Sequence, residues 1–86
     1  MAYHASAEKR DRQRIKRTAR NRAIRSTVRT CVKRVRLAVE KKNKEAAKKA
    51  LVSAVRALDR AAKKGVLHKR SASRTVARLS AAVHKL

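Results

Sequence analysis

The sequence predicts an all-α fold, an antiparallel three-helix bundle with an extended, overhanging N-terminal helix, on three observations. There is no proline and a single glycine, Gly65, in 86 residues, and strong helix formers dominate the rest. Apolar residues recur at spacings of three and four in three separate stretches, as on helices with one buried face. The first of these stripes begins only at Ile24, well inside the first helix.

The first helix is expected over Ser6 to Lys41, with its stripe at Ile24, Val28, Cys31, Val35 and Ala38, joined by Val32 and Val39. Lys41-Lys42-Asn43-Lys44 has no apolar residue and forms the first turn; Asn43 is a good N-cap, followed by Glu45 in the positive first turn of helix two. Helix two, Lys44 to Lys64, answers with Ala47, Leu51, Ala54, Leu58 and Ala61. It ends at Lys63-Lys64-Gly65-Val66-Leu67, where Gly65 can take the left-handed cap position and the apolar residues after it can pack back. Helix three, His68 to Leu86, carries Ala72, Val76, Leu79, Val83 and Leu86.

Three stripes of similar length joined by short turns close a bundle. Helices two and three are about 20 residues, or ~30 Å, whereas helix one is about 36 residues, or ~54 Å. The excess lies before Ile24 and has no protein to pack against. The chain is thus expected to be one domain, with residues 1–23 a basic overhang and residues 24–86 the bundle.

Twenty-seven Lys and Arg stand against five Asp and Glu, a net charge of +22, which a compact free monomer tolerates badly. A polyanionic partner is expected, nucleic acid first, because each phosphate neutralised releases a condensed counterion. Anionic membrane is the weaker candidate, since there is no Trp and no Phe for an interfacial helix to bury. No apolar run approaches the ~20 residues of a membrane span, and Met1 to Arg14 lacks the apolar centre of a signal peptide. The lone cysteine, Cys31, excludes an internal disulfide and fits a reducing, cytoplasmic setting; on the apolar stripe it reads as a small buried hydrophobe. His4, His68 and His84 are scattered without metal-ligand spacing, and the few carboxylates are not paired for acid-base work. No enzyme, cofactor, metal or small-molecule substrate is expected from so short a chain.

Residues 8–22 hold eight basic side chains, Lys9, Arg10, Arg12, Arg14, Lys16, Arg17, Arg20 and Arg22, against Glu8 and Asp11. Arg10, Arg14 and Arg17 point the way Ile24, Val28 and Val35 point further along, so one side of one helix changes partner from core to polyanion. Alone, this overhang should fray, because like charges on neighbouring turns weaken an already marginal helix; phosphates would restore it. Within the bundle, Arg22, Arg25, Arg29, Lys33 and Arg36 form a ridge away from the stripe, with no acid between Asp11 and Glu40. That ridge is the more specific sign of phosphate binding.

Other charges leave alternatives open. Lys49, Arg56, Arg60 and Lys63 on helix two, and Arg70, Arg74, Arg78 and Lys85 on helix three, are either further contacts or solvated faces, with Glu45 and Asp59 free to pair locally. Ser26, Thr27 and Thr30 either meet phosphate and 2′-hydroxyls or satisfy helix carbonyls. His68 is a terminus residue or a phosphate contact. One aromatic, Tyr3, gives no stacking platform, and no zinc-finger, zipper or helix-turn-helix pattern for duplex DNA is present. Structured RNA recognised by shape and phosphates is the expected partner; a histone-like DNA-compacting protein is the alternative, and a cationic membrane-active helix the third class.

The chain resembles the bacterial small-subunit ribosomal protein S-twenty family over nearly its whole length. The resemblance is carried by Ser6-Ala7-Glu8-Lys9-Arg10, Arg20-Asn21-Arg22-Ala23-Ile24-Arg25-Ser26, Arg29-Thr30 with Lys33 and Val35, and Lys64-Gly65-Val66-Leu67-His68-Lys69. It implies a three-helix bundle bound to the 5′ domain of small-subunit ribosomal RNA and touching its long penultimate helix, with other small-subunit proteins met only peripherally. It also implies that Ser6, Lys9, Arg10, Arg17, Arg20, Asn21, Arg22, Arg25, Ser26, Arg29, Thr30 and Lys33 face RNA, with His68 and Lys69 in a second contact region. Arg14, Arg36, Arg74 and Arg78 complete the expected RNA-binding set. Two departures stand out: Lys42-Asn43 replaces a frequent Gly-Asp at the first turn, so that a left-handed Lys42 would be strained, and Ser71-Ala72-Ser73 replaces a more basic stretch.

Overall fold

Uninterrupted helix formers give three α-helices in the computed structural model, which describes residues 2–86 and their side chains from residue 6 onward. They are α1 (Ala2–Glu40), α2 (Lys44–Lys63) and α3 (Lys69–His84), and no strand occurs among the described residues. The expected boundaries shift slightly. Helix α1 starts four residues before Ser6, since nothing in the sequence stops it, and α3 starts one residue late because His68 is its cap.

Both turns close with the same hydrogen-bond pattern, made by different residues. After α2, Val66 N–H donates to the Ala61 carbonyl at 2.9 Å and Gly65 N–H to the Ala62 carbonyl at 3.1 Å, with Gly65 left-handed at φ 74°. Val66 and Ala61 are both buried in the same apolar core, as suits the apolar pairing that accompanies this cap. After α1, Asn43 N–H reaches the Ala38 carbonyl and Lys42 N–H the Val39 carbonyl, both at 3.0 Å. Lys42 takes the left-handed position at φ 56°, a conformation that suits glycine and strains a side chain with a Cβ. Asn43 caps α2 as expected, its side-chain oxygen accepting from Ala46 N–H at 3.2 Å.

These short turns make consecutive helices antiparallel. Ile24, Thr27 and Cys31 of α1 share a groove with Ser53, Arg56, Ala57 and Arg60 of α2, so the middle of α1 meets the last turns of α2. Helix α2 packs extensively on both neighbours, whereas α1 and α3 meet over a narrow strip. The core is Val28, Val35, Ala38, Ala47, Ala54, Leu58, Ala61, Val66, Ala72, Leu79 and Val83. Five of these eleven are alanine, so the helices approach closely and the stabilising burial rests on few large side chains, chiefly Leu58 and Val35. Cys31, Ile24, Val32 and Val39 pack half-buried at its edge.

The molecule measures 63 × 21 × 14 Å, with a radius of gyration of 17.5 Å. A globular chain of this length would have about 12 Å. The excess is α1: at 1.5 Å per residue its length is ~58 Å. Every side chain from Ser6 to Arg20 is exposed, Asn21 is the first to be half-buried and Val28 the first in the core. Ile15, 59 % exposed, is an isolated apolar residue on this stretch.

Candidate nucleic-acid interface

A helix that leaves its bundle keeps the bundle's geometry, so the rigid half of α1 aims the half that protrudes. In the protruding half, Ser6, Lys9, Arg10, Arg14, Arg17 and Arg20 are all exposed and share one broad side of the helix. Arg14 is engaged: its guanidinium donates to Asp11 at 2.7 Å, the one ion pair among the described residues. Both partners are largely exposed, and such a pair contributes little and yields readily to a phosphate.

In the bundled half, Arg22, Arg25, Arg29, Lys33 and Arg36 are exposed along one edge of α1. Arg25 and Arg29 flank Leu67, and Arg29 and Arg36 share a groove with Ser71 and Thr75 of α3. Arg78 follows Ser71 and Thr75 at helical spacing, and Arg74 lies one turn before it, so both extend the same side of the molecule. The fold thus brings Arg29 and Arg36 of the ridge beside Ser71 and Thr75 across the α1–α3 groove, while Arg74 and Arg78 are exposed on α3 outside the groove lining. Helical spacing alone leaves such residues apart, because it orders one helix and not the rotation between two.

Hydroxyls and termini resolve several alternatives. Thr27 and Thr30 each donate to the carbonyl four residues back, of Ala23 and Ser26, at 3.0 Å. Their protons serve the helix, which leaves oxygen lone pairs and no donor for a phosphate. Ser26 is exposed on the ridge side of this pair, and Asn21 is half-buried where α1 enters the bundle. His68 is the N-cap of α3: its Nδ1 accepts from Arg70 N–H at 3.1 Å, which makes Nε2 the ring donor open to a partner. Lys69 follows, exposed, in the positive first turn. Glu45 and Asp59, for which local pairing and a solvated face were both open, have no ion-pair partner within 4.0 Å among the described residues, and both are exposed.

Among the described residues no helix is long and apolar enough to cross a membrane. A model of one protein family, Ribosomal protein S20, matches residues 2–84. The chain belongs to this family. It is 55% identical to "Small ribosomal subunit protein bS20" of Pelobacter propionicus over 86 residues, which span 100% of this chain and 99% of the relative. The proteins of that name from Geobacter sulfurreducens and Nitratidesulfovibrio vulgaris are 52% and 48% identical, with the same coverage. The S20 family consists of structural ribosomal proteins and not enzymes, and the three-helix arrangement with a long first helix agrees with the fold that the sequence predicts.

Proposed function

We propose that this chain is a structural constituent of the small ribosomal subunit, binding small-subunit ribosomal RNA directly and holding its folded arrangement by neutralising phosphates. The observation that carries the reading is the continuity of one cationic helix: the exposed ridge Arg22 to Arg36 passes without an intervening acid into the exposed overhang. The bundle, residues 24–86, positions this helix; the overhang, residues 1–23, reaches into RNA. The 5′ domain and the long penultimate helix are the segments bound, with His68 and Lys69 at a second contact. Other small-subunit proteins touch it peripherally, and the complex works in the cytoplasm.

Recognition is by shape and phosphate position. Arginine forks hold phosphate oxygens bidentately, and no aromatic platform is present for reading single-stranded bases. Competition at fixed salt tests the proposal: folded small-subunit RNA should outcompete duplex DNA of equal length. Equal affinity would favour the DNA-compacting alternative, and leakage of anionic vesicles the membrane-active one.

A further inference from the structure

We propose that the groove between α1 and α2, on the side of α1 away from α3, is a second phosphate-binding face that seats a separate stretch of RNA backbone. This rests on the RNA reading above. The groove has an apolar floor of Ile24, Cys31 and Ala57, and edges of Thr27, Ser53, Arg56 and Arg60. In the adjoining hollow Arg56 and Arg60 join Lys63 and Lys64 around Asp59, four cations against one carboxylate. None of the four has an ion-pair partner among the described residues.

Arg56 and Arg60 are one turn apart, a rise of ~6 Å, comparable to the step between successive phosphates of one strand. Arg20 and Arg34 lie seven residues either side of Thr27, on the same face of α1, and continue the opposite edge over ~21 Å. Cations on both rims select an anion, and a floor without aromatic residues suits sugar edges and arginine stems rather than stacked bases. On the other flank of α1, the ridge residues Arg29 and Arg36 line a groove with Leu67, Ser71 and Thr75, and Arg25 joins Arg29 and Leu67 in the adjoining hollow. Because α1 stands between the two grooves, one strand cannot occupy both, and the helix is gripped by two RNA segments.

Cys31, the sole cysteine, lies half-buried in the floor and reports on occupancy. Its alkylation by iodoacetamide should slow several-fold when the full chain is saturated with folded small-subunit RNA. The double variant R56A/R60A, changed at two exposed helix positions and checked by circular dichroism, should lose this protection and lower the salt slope by about one to two units. It should also lose hydroxyl-radical protection at nucleotides other than those lost with R22A/R25A/R29A. Alkylation at the free rate in the complex, or an unchanged slope and footprint for R56A/R60A, overturns the second face while a loss with R22A/R25A/R29A leaves the RNA reading standing. Loss of the same nucleotides in both variants means one face, not two. Protection that arises only after other small-subunit proteins are added assigns the groove to a protein and also overturns the proposal. No preference of the wild type for ribosomal RNA removes the parent reading itself.

Discussion

Removing RNA should melt the protruding half of α1 while leaving the bundle folded. The protruding stretch, residues 2–23, has its side chains exposed from residue 6 up to Asn21 and is anchored only where it joins the bundle. Six pairs of basic residues at helical contact spacing fall within it: Lys9–Arg12, Arg10–Arg14, Arg12–Lys16, Arg14–Arg17, Lys16–Arg20 and Arg17–Arg20. At about 0.2 to 0.5 kcal/mol each they cost about 1 to 3 kcal/mol, offset in part by Asp11–Arg14 and Glu8–Arg12. A helix extended from a folded base needs no new nucleus, but each residue added here gains little, so it frays from its free end. The stretch is about a quarter of the 86 residues, so the free chain at low salt should show a helical signal of about three-fifths of its residues, against nearly nine-tenths when bound. Circular dichroism at 222 nm with the RNA spectrum subtracted reads the change, and amide exchange locates it in residues 2–23. Full helicity in the free chain, with no gain on RNA addition, would refute the coupling.

Three stability predictions follow from the bundle. Leu58, 1 % exposed, is one of the two largest fully buried side chains, so Leu58→Ala should cost about 2.7 to 5 kcal/mol and leave the free chain largely unfolded in thermal denaturation; a loss of only a few degrees would show the core to be misassigned. Lys42→Gly relieves a left-handed non-glycine and should raise stability by about 1 kcal/mol, or about 4 to 8 °C in Tm. Asn43→Ala removes the α2 cap and should lower stability by about 1 kcal/mol in urea denaturation, with the slope of the transition unchanged.

Periodicity made most of the fold legible. The stripe from Ile24 to Ala38 is the face of α1 that meets the core, and its late start marks where the helix leaves the bundle. Asn43 and Gly65 were readable because each is suited to a specific backbone or capping demand. Lys42 was readable only as a conflict, a side chain where the turn favours glycine. What spacing within one helix cannot supply is the rotation of one helix about another. The gathering of Arg29 and Arg36 beside Ser71 and Thr75, and of Arg56 and Arg60 beside Thr27, is therefore set by how the helices pack and not by spacing along any one of them. Side-chain choices among competing partners were equally out of reach: Arg14 on Asp11, Thr30 on the Ser26 carbonyl, and the His68 ring turned to Arg70 N–H.

The central claim is that the ridge on the bundled half of α1 touches phosphates. The salt dependence of affinity for folded small-subunit RNA, measured for wild type and for R22A/R25A/R29A, tests it most directly. All three positions are exposed, and alanine favours helix, so the fold should persist. If each arginine neutralises one phosphate, the slope of log K against log salt should become shallower by about two to three units, and affinity should fall most at low salt. An unchanged slope with unchanged affinity would remove the ridge from the interface.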